Sequence, residues 1–210
     1  MREALNPRAI FVVDPDCLMD PVYFGGPEDI DHKRKEKYRN LLDVLGSAYE
    51  RGIPIILRHN PPSPDDFFEA AKEIEDRYSP FLFHHKKEEI TGILEKIDSG
   101  VILFGGGHLV HDSAEPEDIE ALKVQGLTGS NNDIIKDRSR GLVPLTCCIA
   151  NCMNIIGEYN REHKGRLEAV ADTRITLGYG SFSQNSFYRV EFFSGIKPFT
   201  RIENAYHLFE

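Results

Sequence analysis

Two side chains of this 210-residue chain stand where ionisable groups become reactive, Asp14 and Cys152. Asp14 closes the unbroken apolar run Ala9-Ile-Phe-Val-Val-Asp14. A carboxylate at the end of a buried strand needs a partner or a task, because burying it unpaired is costly. The options are a catalytic carboxylate or a cap on the following loop, which Asp16 and Asp20 would extend into an acidic cluster. Cys152 lies near the start of the helical pattern Ile149–His163. Free N–H groups and partial positive charge at a helix N-terminus lower a thiol pKa and can hold an oxyanion. Without that setting a buried Cys is an inert apolar residue. Asp172 ends the run Leu167–Ala171, and His59 follows the run Ile53–Leu57. Both are candidates to bind substrate, and for a lone His the competing role is a satisfied hydrogen bond.

Other groups point to simpler roles. Gly105-Gly-Gly107 follows an apolar run and could cradle a phosphate, but it lacks the GxGxxG and GxxxxGK[ST] patterns, so a tight turn is the plainer reading. His84-His85 before Lys86-Lys87 reads as a solvated loop. Cys147, Cys148 and Cys152 contain no CxxC pair and show no fourth donor, so no zinc site is expected.

These residues must be held by a repeating scaffold. Runs buried on both faces mark strands of a parallel sheet. Ala9–Asp14, the helical pattern Asp29–Arg51 (Tyr38, Leu41, Leu42, Leu45, Tyr49) and Ile53–Leu57 make one βαβ unit. The pattern then predicts a helix over Asp65–Tyr78, a short apolar piece at Phe81–Phe83, a helix over Glu88–Ile97 and a strand at Val101–Phe104. Beyond a polar loop it predicts a short strand at Ile119–Val124, a helix over Asn131–Arg138, and a strand at Leu142–Leu145 weakened by Pro144. Helix Ile149–His163, strand Leu167–Ala171 and a Gly/Ser-rich loop at 178–186 follow. Phe187–Phe193 is read as a helix, with its aromatics also suiting a strand. The alternation predicts an α/β fold, a three-layer α/β/α sandwich with a mostly parallel sheet. Ligands then bind outside the carboxyl ends of the strands, where Asp14, the Cys147–Cys152 segment and Asp172 fall.

Composition narrows the class. With 40% hydrophobic residues the chain can bury one sizeable core, and its length suits a single domain. Net charge is −9, from 25 Lys and Arg against 34 Asp and Glu, so no nucleic acid partner is expected. The longest early apolar run, Ala9–Val13, is too short for a membrane span or a signal peptide core, so no membrane partner is expected. Four Cys, three of them crowded together, do not make a disulfide framework, which predicts a reducing, cytoplasmic setting.

Taken together, the residues resemble the isochorismatase-like cysteine hydrolases. The stretch Arg51-Gly-Ile-Pro-Ile-Ile-Leu-Arg-His-Asn60 is similar to the family's RGIPVI-TRHxP second strand. Lys123, the turn and helix from Gly129-Ser-Asn-Asn-Asp-Ile-Ile135, and Gly141-Leu-Val-Pro-Leu145 resemble the family's lysine and the segment before its nucleophile. Cys152 precedes Asp172 by 20 residues across a helix, Gly165 and a strand, like the family's Cys, helix and VVxD. Phe187–Tyr206 looks like the closing helix, strand and tail, with Ser194–Phe199 as the last strand. The likeness covers about residues 8–60 and 118–208.

The resemblance implies an Asp–Lys–Cys triad with Cys152 as nucleophile, Asp14 as general base and Lys123 as the cation holding the thiolate. It implies an oxyanion hole from the N–H groups of Cys148 and Cys152, a cis Cys147–Cys148 peptide, and a dimer or tetramer. It also implies an insertion over 61–117, serving as a lid or an oligomer contact unless Val101–Phe104 joins the sheet. If that segment is assigned otherwise, Lys86 or Lys87 takes the place of Lys123. The substrate would be a small molecule, an amide or ureide cleaved through a thioester-like acyl enzyme, or an isochorismate-like ether. Neither a metal nor another cofactor is expected, because His59 stands alone before Pro61-Pro62 where metal-binding members carry an Asp and two His.

The chain departs from the family's Gly-x-x-Thr-x-x-Cys, with Thr146 and Ile149 at the Gly and Thr positions, and Pro15-Asp16 follow its first strand. That makes a non-catalytic binding or assembly protein of the same fold the alternative function. A further alternative is a PIN- or NYN-like nuclease, whose Mg²⁺ site would draw on Asp14, Asp112 or Asp133, and Asp172. The Asp14/Asp16 spacing also matches haloacid dehalogenase phosphatases, but Cys17-Leu-Met and the missing downstream Thr or Ser before a Lys do not continue that pattern.

Overall fold

The structure, a computed structural model, describes residues 4–19, 28–58, 69–83, 87–108, 134–137, 141–144, 148–164, 166–172, 174–177, 186–191, 199–204 and 207–208. In chain order these form β1 (Ala4–Leu5), β2 (Ala9–Val13), a 3₁₀ turn (Pro15–Leu18), α1 (Glu28–Glu50), β3 (Ile55–Arg58), α2 (Glu69–Tyr78), β4 (Phe81–Phe83), α3 (Lys87–Ile97) and β5 (Ser99–Gly106). Then come β6 (Ile134–Asp137), β7 (Gly141–Pro144), α4 (Cys148–His163), β8 (Arg166–Asp172), β9 (Ser186–Glu191), β10 (Phe199–Asn204) and β11 (His207–Leu208).

Seven strands make one sheet in the order β10-β9-β8-β5-β2-β3-β4. Five of them, β4-β3-β2-β5-β8, run parallel, and β9 and β10 continue the edge antiparallel. The fold is α/β with a mostly parallel sheet, as the alternation of patterns predicts. All five residues of β2 are buried, because it is the middle one of the five parallel strands, with neighbours on both sides and side chains packed on both faces.

Alternating residues of the sheet feed two apolar clusters. Phe11, Val13, Ile56, Phe104 and Ala171 face α3 and α4, whose contributions include Ile90, Leu94, Cys152, Met153 and Ile156. Ile10, Val12, Leu57, Leu103 and Val170 face α1 and α2, which supply Leu41, Leu45, Ala71 and Ile74. Helices α1 and α2 connect strands laid down in one direction from β2, and α3 and α4 connect strands laid down in the other. Right-handed crossovers put the two sets on opposite faces. Phe11 anchors the first cluster, with ring centroids 5.0 Å from Phe104 and 5.7 Å from Phe83. Asn160 pins α4 to β8: its amide donates to the Leu167 carbonyl at 2.8 Å, and the Leu167 N–H donates to its oxygen at 3.1 Å.

Several expectations are corrected. Residues 69–83 and 87–106, inside the segment expected as an insertion or lid, supply α2, β4, α3 and β5, so they are sheet and helix of the core. The predicted Val101–Phe104 strand is the middle of β5, between β2 and β8. The helix expected over Asn131–Arg138 is replaced by β6, where Ile134-Ile135 pairs antiparallel with β7; β-branched pairs favour a ribbon over a short helix. Pro144 sits at the end of that ribbon, where its missing N–H does no harm. The helix expected at Phe187–Phe193 is likewise a strand, β9, since Phe187, Tyr188 and Val190 find partners in β8 and β10. In α1, Tyr49 lies 57% exposed and Ala48 takes the inward position. The strand expected at Ile119–Val124 lies outside the described residues.

Candidate functional site

The parallel strands run β4-β3-β2-β5-β8, so the chain order reverses beside β2, and the carboxyl ends of β2, β3 and β5 meet there. This is the position at which open α/β sheets bind ligands. Asp14 stands at the end of β2 in a left-handed backbone conformation, φ 45° and ψ 57°. Asp tolerates that region better than most residues, and the conformation turns its side chain out of the strand just before Pro15 starts the 3₁₀ turn. Its N–H donates to the Arg58 carbonyl at 3.0 Å, which fixes the ends of β2 and β3 side by side.

Arg58 is the last residue of β3 and the register partner of Val13. Its Nη1 lies 3.5 Å from Asp14 Oδ2 and 3.5 Å from Cys152 Sγ, both within a site where the Arg58 and Asp14 side chains are 12% and 18% exposed. Cys152 reaches the same point from α4, on the stripe Ile149, Cys152, Met153, Ile156 and Tyr159 that packs on the sheet. A carboxylate, a guanidinium and a thiol are thus gathered in that order. Burial pushes the Cys152 thiol up to about 12; the Arg58 charge and hydrogen bond act in the opposite direction, and Asp14 adds to the rise. The thiol is therefore protonated at neutral pH, in contrast to the lowered pKa expected of a helix N-terminus.

The reason is position. The residue that opens α4 is Cys148, and Cys152 lies one turn further in, where a backbone N–H belongs to the helical ladder. The helix-end dipole falls off within the first turn. The Ile149 N–H donates to the His108 carbonyl at 3.0 Å, and Cys148 Sγ approaches the same oxygen at 3.5 Å. The expected oxyanion pair of Cys148 and Cys152 is thus divided between a helix start and a helix interior. The Cys147–Cys148 peptide lies outside the described residues.

The triglycine segment is neither a phosphate cradle nor a turn. Gly105 and Gly106 are strand, the Gly106 N–H donates to the Ile175 carbonyl at 2.7 Å, and the Gly107 N–H donates to the Val13 carbonyl at 2.5 Å. These donors are spent on backbone. Glycine is needed because Gly106 has φ +105° and a Cβ there would strike the Val13 carbonyl.

Asp172 sits at the end of β8, fully buried, and Arg174 grips it through Nε at 3.0 Å and Nη2 at 2.5 Å while its own N–H donates at 2.9 Å. Its carbonyl accepts from the Thr176 hydroxyl at 2.9 Å. These bonds hold the 172–177 turn, and through the Leu177 N–H to Gly107 carbonyl bond they hold β5 as well. Asp16 turns away from Asp14 and caps α2, accepting from the Ala70 N–H at 2.8 Å. Lys123, His59, Asp20, Asp112 and Asp133 lie outside the described residues. Among the described residues no group of three or more His, Cys, Asp and Glu could hold a metal ion.

The structure therefore brings Asp14 and Cys152 together and adds Arg58, the residue before the expected His59. The signal was present: a charged residue directly continuing a buried strand, on the same sheet edge as Asp14. No helix among the described residues is long and apolar enough to cross a membrane. Comparison with protein-family models, curated proteins and solved structures finds no match.

Proposed function

We propose that the chain is a divergent isochorismatase-like cysteine hydrolase built as a three-layer α/β/α sandwich. Its substrate is a small amide or ureide, Cys152 is the nucleophile, Asp14 the general base, and Lys123 an electrostatic partner. The observation that carries this reading is the Asp14–Arg58–Cys152 chain at the carboxyl ends of the strands, with Arg58 Nη1 3.5 Å from each of its neighbours. Asp14 takes the thiol proton as sulfur attacks the carbonyl carbon. The amine leaves with that proton, and water then cleaves the thioester, releasing the acid and restoring the thiol. A neutral resting thiol suits a base that acts only as the nucleophile attacks. Along with the resemblance go a cytoplasmic setting and a dimer or tetramer.

The test is a panel of small amides and ureides followed by mass analysis of the intact chain and its peptides. An acyl adduct on the Cys152 peptide, absent in Cys152→Ala and slow to form in Asp14→Asn, supports the proposal. Amine release that persists in Cys152→Ala sinks it. A second reading, a non-catalytic binding protein of the same fold, draws on one observation: Cys152 is 2% exposed. Ligand binding with no turnover and no adduct across the panel would favour that reading.

A further inference from the structure

Arg58 has no part in the triad that the sequence suggests. We infer that it is the positioning residue of this site: it holds the Asp14 carboxylate and the Cys152 sulfur against one guanidinium and stabilises the thiolate that Asp14 generates. Its catalytic sense rests on the hydrolase reading, whereas its effect on the thiol rests on geometry alone.

When Asp14 takes the thiol proton the negative charge passes from carboxylate to sulfur, and when solvent takes it the carboxylate and thiolate are left charged side by side and repel each other. A cation placed between them removes that conflict. Arg58 Nη1 reaches both at 3.5 Å, and the backbone leaves it little freedom, because Asp14 N–H donates to its carbonyl and Val13 is its register partner. The guanidinium is planar and permanently charged, so its Nη1 offers pre-oriented donors to both neighbours. Among the described residues the charged groups acting on Cys152 are Arg58 from β3 and Asp14 from the end of β2. From α4 itself Cys148 lies one turn away, against the His108 carbonyl that follows β5. Burial and Asp14 both push the thiol up, and Arg58 is the influence that opposes them.

The measurement is the iodoacetamide alkylation rate of the full chain between pH 8 and 10, resolved to the Cys152 peptide, with circular dichroism confirming the fold of each variant. Alkylation follows the thiolate fraction. In Arg58→Gln the Cys152 rate should fall about tenfold, one pKa unit. Arg58→Lys should recover part of it, and Asp14→Asn should raise it. A merely structural Arg58 gives the opposite sign, since loosening the site exposes the thiol and speeds alkylation. Unchanged or faster alkylation in Arg58→Gln therefore overturns the inference, whatever the substrate panel shows. Slower alkylation with no acyl adduct on any substrate leaves Arg58 in this role and removes the hydrolase reading instead.

Discussion

Gly107 and Cys148 are in such close approach that a methyl group on Gly107 would stand 2.6 Å from the Cys148 sulfur. The same methyl would lie 3.2 Å from the Val13 carbonyl oxygen and 3.5 Å from the Asp14 Cβ. Gly107 is thus the space through which the first turn of α4 meets the end of β2.

Gly107→Ala should cost about 1–3 kcal/mol, the usual range for overpacking a filled site. Cys148→Ala removes the sulfur atom that the new methyl strikes, so the pair should be less unstable than the sum of the two changes. A double-mutant cycle in urea checks this; strict additivity would mean that the backbone contact with Val13 dominates.

Cys152 makes stability depend on alkaline pH. Its pKa rises from 9.0 in the unfolded chain to about 12 in the fold. A raised pKa means that the fold holds the proton more tightly, so the stabilisation is complete below pH 9 and is lost as pH climbs toward 12. The loss is at most about 1.4 kcal/mol per pH unit. Urea midpoints across pH 8–11 should fall, and Cys152→Ser should flatten the fall. Tyr38, raised by burial and by its 2.6 Å hydrogen bond to Glu73, contributes in the same direction, so Tyr38→Phe is the companion variant.

Asp172→Asn should destabilise the chain by about 2 kcal/mol, the scale of hydrogen bonds to a charged group. The buried carboxylate is the acceptor for three donors of Arg174, and the amide cannot replace them all. Arg174→Ala should do comparable harm by leaving the charge buried and unpaired. Thermal unfolding of both variants decides the matter: an unchanged midpoint would show that the bonds in the 172–177 turn contribute nothing net.

Phe11→Ala should cost about 3–5 kcal/mol, because the ring is fully buried between Phe83 and Phe104 at the middle of the sheet. Phe81→Ala, on the exposed start of β4, should cost far less. Comparable losses in the two variants would place the core elsewhere than around β2.

How far the residues announce the fold varies along the chain. The continuous apolar runs of β2, β3 and β8 and the helical stripes of α1 and α4 are local, self-consistent patterns, and each is found within two residues of its expected ends. Ile134-Ile135 and Phe187-Tyr188 carry a β preference that only pairing with β7, β8 and β10 realises, so spacing alone read them as helix. Within the segment expected as an insertion, Val101–Phe104 is as apolar as β2, and that local pattern is what the sheet realises in β5.

The site divides in the same way. The sequence by itself determined that Asp14 and Cys152 lie at one edge of a parallel sheet, since an apolar run ending in a carboxylate and a helix following a strand are local facts. Only the tertiary structure decided that Arg58 stands between them, that Asp172 is occupied by Arg174, and that Cys152 sits one turn inside its helix with its thiol pushed up to about 12. The physical reason is range. Strand and helix patterns arise from neighbours a few residues apart, whereas the protonation of a buried group is set by burial and by charges that arrive from other strands.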